Sequence, residues 1–365
     1  MRILHLMQCT NLGGMEQATL ERIRQLQNLG HQCSVLSLNP LGALRPLLEQ
    51  HSIPAEGLVY RGRGGWRSFL PLRQKLKTIP ADALLMTGHN LLATLALGDL
   101  AVDRRVLSIH FHHQGVCPNW QWQLIYKAAC SRFQAIAFAT DFIRKEAECI
   151  YPPVAGRAVT LPNPFAVPPA PTAMDRALAR AQLGIPEGAF VIGNAGWLIQ
   201  RKRFDVLLRV TQELMKQDPS AICIIAGDGP LRAELETLSQ SLGIASQVRW
   251  LGWQNDLRNF YLSLDVLVFN SDWDALGRTP VEALALGAPV IASVKNGGLA
   301  EVIRDDRFGF LTDRHDIAWM NSKLLQLRSD PALKASIASA ARAHIAETYC
   351  PIQDAERLSH LLNVN

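Results

Sequence analysis

The chain has no Cys-x-x-Cys pair, no Gly-x-Gly-x-x-Gly fingerprint, no low-complexity tract and no short internal repeat. Its seven cysteines (9, 33, 117, 130, 149, 223 and 350) are odd in number and scattered. That pattern fits a reducing compartment and argues against a disulfide framework or a zinc ribbon. The opening MRILHLMQCTNLGG lacks the apolar core and small-residue cleavage site of a signal peptide, so a cytoplasmic protein is expected. Residues 83–102 come nearest to a membrane span. Thr87, Gly88, His89, Asn90 and Asp99 interrupt them, so they read as a buried strand turning into a helix. A strong excess of one charge is also missing: the formal charge is +5, and no RNA-binding motif is present. Nucleic acid is therefore not an expected partner.

What the chain does have is apolar material, 48% against 19% charged, as in a soluble globular protein. At 365 residues it exceeds one ordinary core, so two domains are expected. RILHLM, CSVLSL, DALLM, RVLSI and AIAFA read as strands, with helical patterns such as MEQATLERIRQLQNLG between them. A second series follows: AFVIGNAG, AICIIAG, QVRWLG, DVLVFN, APVIAS and GFLTD. Strands alternating with helices predict βαβ units and parallel sheets covered on both faces. Between the series, residues 162–171 hold five prolines and mark a linker. The expected architecture is α/β, two doubly wound domains over 1–167 and 168–349 facing across a cleft. A last helix, about 350–365, is expected to pack back on the first domain. Such sheets bind ligands outside the carboxyl ends of their strands.

The most informative stretch is DWDALGRTPVEALALGAPVIAS, residues 272–293. Pro280 suits the first turn of a helix, so Asp274 precedes that helix and Glu282 is expected in its first turn. Gly277, Arg278 and Thr279 lie at the helix start, where free backbone N–H groups suit an anion. An anion site flanked by two carboxylates suggests a ligand with both phosphate and hydroxyl groups.

Around this stretch stand GNAGWLIQRKRFDVLL, AGDGPLRAELETL, VRWLGWQNDL and NGGLAEVI, with LGGMEQATLERIRQLQNLGH and LPNPF in the first half. Together they resemble the retaining glycosyltransferases of the GT-B fold, family 4 (glycosyl transferases group 1). The resemblance implies two Rossmann-like domains, with an N-terminal one for the acceptor and a C-terminal one for a nucleotide-sugar donor. It implies that Glu282 accepts hydrogen bonds from the ribose hydroxyls and that Asp274 helps hold the donor sugar. Gly277, Arg278, Thr279 and Lys202 would meet the diphosphate, with Gly196, Arg201, Gly229 and Trp253 also on the donor side. Trp197 stands where the family has an arginine, and Arg201, Arg203 or Arg278 are the candidates to compensate. Asp228 reads as a turn and helix cap. Glu301 reads equally as structural or as a donor-side contact.

In the first domain, the resemblance places the loop at Gly13 and Gly14 against the donor phosphates, with Glu16 towards the acceptor. A plain acid at a helix N-terminus is an equal reading of Glu16. IHFHHQ (109–114) invites a zinc reading, but strand alternation splits His110 and His112 from His113 and no further ligand follows. No metal is expected. His110 instead matches the family histidine that reaches the donor sugar, while His89 and His112 are weaker acceptor-side candidates. Trp120 and Trp122 read as a sugar platform or as buried helix anchors.

The resemblance implies front-face attack by an acceptor hydroxyl, with the leaving phosphate assisting, and therefore no protein nucleophile and no cofactor beyond the nucleotide-sugar co-substrate. UDP-sugar is favoured over GDP-mannose as donor, and a glycan or lipid-linked acceptor in bacterial cell-surface polysaccharide or glycolipid assembly is expected. The alternatives are a nucleotide-sugar 2-epimerase of the same architecture and a noncatalytic nucleotide-sugar-binding protein. Residues 61–80 carry six basic residues and no acid among Trp66, Phe69, Leu70 and Leu72. They read either as an amphipathic helix on the inner face of an anionic membrane or as an ordinary helix between strands, with Pro71 kinking it or delaying its start.

Overall fold

The computed structural model describes every residue except 12, 60–65, 101, 103, 112–117 and 364–365. The fold divides into two compact units, Met1–Ala166 with Tyr349–Asn365, and Val167–Thr348.

The first unit is built on seven parallel strands: β1 (Arg2–Met7), β2 (Gln32–Ser37), β3 (Ala55–Gly57), β4 (Ala83–Thr87), β5 (Arg104–Ile109), β6 (Ala135–Phe138) and β7 (Ala158–Thr160). Their order is β3-β2-β1-β4-β5-β6-β7, so the succession reverses between β1 and β4. β4 and β6 are buried at every position, as expected of strands covered on both faces. β3 and β7, three residues each with at most one large apolar side chain, escaped the sequence reading. Residues 83–102 form β4 and then a helix, Leu91–Ala96. Among the described residues no helix is long and apolar enough to cross a membrane.

The basic segment forms a helix, Trp66–Thr78, with Pro71 inside it, so the proline neither delays its start nor ends it. Leu72 and Leu76, one turn apart, are buried, while Leu70 is 60% exposed. Lys75 is paired with Glu56 at 2.5 Å.

The last helix, Pro351–Asn363, lies on the helix Gly14–Asn28 and on the sheet. Ala355, Leu358 and Leu362 share a core with Ile3, Leu20, Ile23 and Val106. Within this apolar setting Arg22 donates twice to Asp354, Nε to Oδ2 at 2.7 Å and Nη2 to Oδ1 at 2.8 Å, and both side chains are buried.

The second unit has six parallel strands: β8 (Val191–Ala195), β9 (Ile222–Ala226), β10 (Val248–Gly252), β11 (Val266–Asp274), β12 (Val290–Gly297) and β13 (Phe310–Thr312). Their order is β10-β9-β8-β11-β12-β13, and the reversal falls between β8 and β11. Helices Phe204–Met215 and Ile317–Ser329 bury Leu207, Val210, Leu214, Met320 and Leu324 against Ile192, Val268 and Ile291.

Two consequences follow from the first unit's core. Removing one partner of a buried ion pair strands the other charge, at a cost of about 3–5 kcal/mol. Asp354→Ala should lose that much in urea unfolding, and the double change Arg22→Met with Asp354→Leu should recover most of it. His5 on β1 is fully buried, and neither ring nitrogen has a hydrogen-bond partner among the described residues. Burial pushes its pKa down from 6.5 to about 3. The unfolded chain therefore binds a proton that the fold refuses. This contribution is complete above 6.5 and is lost as the pH falls from there towards 3. Between pH 7 and pH 5 His5 should account for about 2 kcal/mol of lost stability, and His5→Leu should lose correspondingly less over that interval in urea melts at the two pH values.

Candidate functional site

The second unit gathers most of the expected residues at the carboxyl ends of β8 and β11. β8 delivers Gly196, and a short helical turn, Gln200–Lys202, follows. The AGDGP turn after β9 packs directly on this loop: a Cβ on Gly229 would sit 2.7 Å from the Leu198 carbonyl oxygen. Only glycine permits that approach. Asp228 accepts from the Gly229 N–H at 2.7 Å, but the next helix starts at Arg232 with Leu231 as its cap, so Asp228 serves the turn and not the helix.

β11 runs further than its apolar pattern, through Asp272 to Asp274, so these acids sit on a strand and not in a turn. The Lys202 ammonium is ion-paired with Asp274 Oδ2; the two side chains are only 16% and 13% exposed. Arg201 donates to the Trp273 carbonyl at 2.9 Å and lies 3.6 Å from Asp274.

Gly277, at φ 81°, caps the helix Arg278–Ala285 from the left-handed region that favours glycine, and no side chain caps this terminus. Thr279 Oγ1 donates to the Ala195 carbonyl at 3.2 Å, tying the start of this helix to the end of β8. The helix begins two residues before Pro280, so Glu282 is its fifth residue and not a first-turn acid, which corrects the sequence expectation. Glu282 accepts from Arg278 Nε at 2.5 Å and from the Tyr261 hydroxyl at 2.7 Å. Burial, and then Glu282, holds the Tyr261 phenol well above its ordinary pKa. Trp197 and Trp253, after β8 and β10, are 60% and 54% exposed. Chemically, this end of the sheet offers helix-terminal N–H groups and three cations to an anion, and two carboxylates to hydroxyls.

The first unit places its candidates at the carboxyl ends of β1, β4 and β5. The helix Gly14–Asn28 opens there, and Glu16 folds back over the loop into the space a Cβ on Gly13 would occupy. Its carboxylate accepts from Cys9 Sγ at 3.2 Å and is buried. His89 follows β4 and packs on Trp122 with ring centroids 4.5 Å apart; burial lowers its pKa. Trp122 is thus a buried anchor, whereas Trp120 is exposed. His110 follows β5, hydrogen-bonded through Nε2 to Ser108 at 3.0 Å, with Nδ1 unpartnered among the described residues. Burial first, and then Arg22, pushes it down to about 3, so it is neutral at physiological pH. His112 and His113 lie outside the described residues.

Residues 12–167 match the family model for Glycosyltransferase Family 4, and residues 175–344 match that for Glycosyl transferases group 1. The chain belongs to the group 1, family 4 glycosyltransferases. This family member is 35% identical over 189 residues to the D-inositol 3-phosphate glycosyltransferase of Salinispora arenicola, covering 48% of this chain and 42% of that protein. It is 34% identical over 157 residues to the lipopolysaccharide core biosynthesis glycosyltransferase LpsD of Rhizobium meliloti, covering 43% and 44%. The match thus spans a little under half the length of these relatives. Among solved structures, Anabaena HepE in complex with UDP-glucose superposes with a TM-score of 0.83 at 21% identity over 99% of both chains. WaaG, a glycosyltransferase involved in lipopolysaccharide biosynthesis, superposes at 0.76 with 17% identity over 100% of both. The fold is GT-B.

This family member also holds a network that the sequence reading passed over. His315, in the loop after β13, is hydrogen-bonded through Nδ1 to Ser293 Oγ on β12 and through Nε2 to Asp272 at 3.1 Å. Asp272 lies 3.4 Å from Arg203, whose left-handed backbone (φ 47°) directly follows Lys202. Ser293 is fully buried, so this Ser-His-Asp arrangement ties strands together and offers no exposed nucleophile. Asp272 and His315 are 43 residues apart, and no local motif marks either. Tyr261 was missed for the same reason. A hydrogen bond to a charged acceptor contributes about 1.5–3 kcal/mol, so Tyr261→Phe should destabilise the chain by roughly 1.5 kcal/mol in urea unfolding; an unchanged midpoint and slope would show that Glu282 does not depend on it.

Proposed function

We propose that the protein is a retaining glycosyltransferase that moves a sugar from a nucleotide diphosphate sugar to a hydroxyl of a glycan or lipid-linked acceptor. The observation that carries this is the uncapped helix start at Gly277–Thr279, set beside Lys202 and Asp274 with Glu282 in the next turn. Helix-terminal N–H groups and Lys202 meet the diphosphate, whose negative charge grows as the sugar leaves. Glu282 takes the ribose hydroxyls and Asp274 the donor sugar, the group to which the family resemblance also assigns His110. The acceptor hydroxyl attacks the face the diphosphate leaves, and the departing phosphate takes its proton. UDP-sugar is the favoured donor, because HepE is a fold relative solved with UDP and with UDP-glucose. The lipopolysaccharide relatives support a cell-surface glycolipid or polysaccharide acceptor. In the same reading, Leu70 and the neighbouring Arg73 and Lys77 seat the first unit on an anionic membrane surface from the cytoplasmic side.

A thermal-shift panel of UDP-, GDP- and ADP-sugars identifies the donor, since a ligand that binds only the folded state raises Tm. Glu282→Ala should weaken nucleotide binding about ten- to a hundred-fold, whereas His110→Ala should leave nucleotide affinity intact and slow transfer. Turnover of the donor by the wild type without any acceptor, giving an isomerised sugar nucleotide, would replace transfer with epimerisation.

A further inference from the structure

The second unit has another charged feature, at the opposite end of its sheet from Gly196 and Asp274. An open pocket of about 620 Å³ lies beside the residues leading into β11, Gly287 and the helix Pro331–Thr348. Four cationic side chains line it, Arg176, Arg180, Lys334 and Arg342, against one carboxylate, Asp265. That carboxylate is already shared: Arg180 Nη2 approaches it at 2.6 Å and Lys334 Nζ at 2.8 Å.

The other two cations are held differently. Arg176 Nη2 donates to the carbonyls of Leu286 at 3.0 Å and Gly287 at 2.8 Å, and Nη1 points towards those of Leu262 and Leu264. Arg342 donates to the carbonyls of Ala285 and Pro168. Carbonyl oxygens fix a guanidinium in place but carry only partial charge, so these contacts orient the two arginines without neutralising them. Burial, partly offset by Asp265 and reinforced by Arg180, lowers the affinity of Arg176 for its proton.

The result is a set of fixed cationic donors, three of them planar guanidiniums, with more positive charge than Asp265 and the backbone carbonyls supply in return. Guanidinium forks match phosphate oxygens in pairs. A pocket of this volume holds a small organic phosphate. We infer that it binds a phosphate-bearing small molecule, at a site separate from the donor site. The arginines that hold the carboxyl end of the helix Arg278–Ala285 are the ones that face this ligand.

The test uses inorganic pyrophosphate, followed by titration calorimetry at low salt. Because the donor site is itself expected to take a diphosphate, the titration is done in the Lys202→Ala chain, with the wild type alongside. The Lys202→Ala chain should retain one pyrophosphate site, and adding Lys334→Gln with Arg342→Gln should weaken it at least tenfold. If the Lys202→Ala chain binds no pyrophosphate, or binds it equally with and without the two glutamines, the pocket is not an anion site. Failure of the donor-site reading looks different: Lys202→Ala then leaves the wild-type titration unchanged. Should the paired glutamines prevent folding, Lys334→Gln alone, at a side chain 32% exposed, gives the same readout with about a threefold loss.

Discussion

The ion pair between Lys202 and Asp274 is the contact on which the second unit's site depends. A parallel sheet whose strand order reverses at β8 and β11 sends the two following loops away from each other, opening a crevice between them. Lys202 belongs to the loop after β8 and Asp274 is the last residue of β11, so their attraction spans that crevice. Thr279 makes a second tie, from the helix start back to the end of β8. Both charges are mostly withdrawn from water, and neither could lose its partner without a replacement. Arg278 and Glu282 stand in the same relation one helical turn away. An incoming anion with hydroxyl groups supplies both kinds of replacement, giving the cations a phosphate and the acids a donor. On the proposed reading, binding would exchange one set of partners for another and would discriminate against ligands that offer only half of the set.

The first unit solves a different problem. Its sheet needs cover on the face that carries Ile3, His5 and Val106, and part of that cover comes from the last helix of the chain, 332 residues away from the arginine that receives it. Apolar contact alone would let Pro351–Asn363 slide along its axis. The two-pronged Arg22–Asp354 pair is sensitive to distance and direction and selects one register, a role for which buried polar pairs are best attested. The same arginine sits close enough to His5 and His110 to add to the effect of burial in keeping both rings neutral. Arg22, on the helix Gly14–Asn28, therefore contributes to the electrostatics beneath the carboxyl end of β5.

Much of the fold was legible because strands in parallel sheets, buried on both faces, leave continuous apolar runs; all of the second unit's strands and five of the first unit's showed this mark. The edge strands β3 (Ala-Glu-Gly) and β7 (Ala-Val-Thr) hold too little apolar material to show it, whereas the equally short β13 keeps Phe310 and Leu311. The end of β11 lies beyond the apolar run DVLVFN because Ser-Asp-Trp-Asp carries turn chemistry, and only pairing with β12 as far as Asp274–Gly297 keeps it extended. The helix start was misplaced because Pro280 is the position a proline favours, whereas Gly277 in its left-handed conformation starts the helix earlier. The site's main residues were readable because they follow strand ends in sequence. Tyr261, Asp272, Ser293 and His315 were not, since their meaning lies in contacts across tens of residues.

Trp197 sharpens the charge question at this site. Its indole is 60% exposed at the end of β8, at the position where the resemblance leads one to expect a cation. Three arginines offered themselves from the sequence as substitutes, and their contacts separate them. Arg203 is bound to both oxygens of Asp205, at 3.0 and 2.9 Å, and approaches Asp272, so its charge belongs to the tie through His315. Arg201 gives one N–H to a carbonyl and stays 3.6 Å from Asp274, in a looser pairing than that of Lys202. Arg278 stands on the first residue of the helix whose N-terminus would hold the anion, and it is 34% exposed. A diphosphate bound at that terminus, as proposed, would lie beside Arg278, and Glu282 would keep its hydrogen bond from the Tyr261 hydroxyl. On the proposed reading, the second cation that Trp197 does not provide would come from Arg278, on the helix at the other side of the switch point.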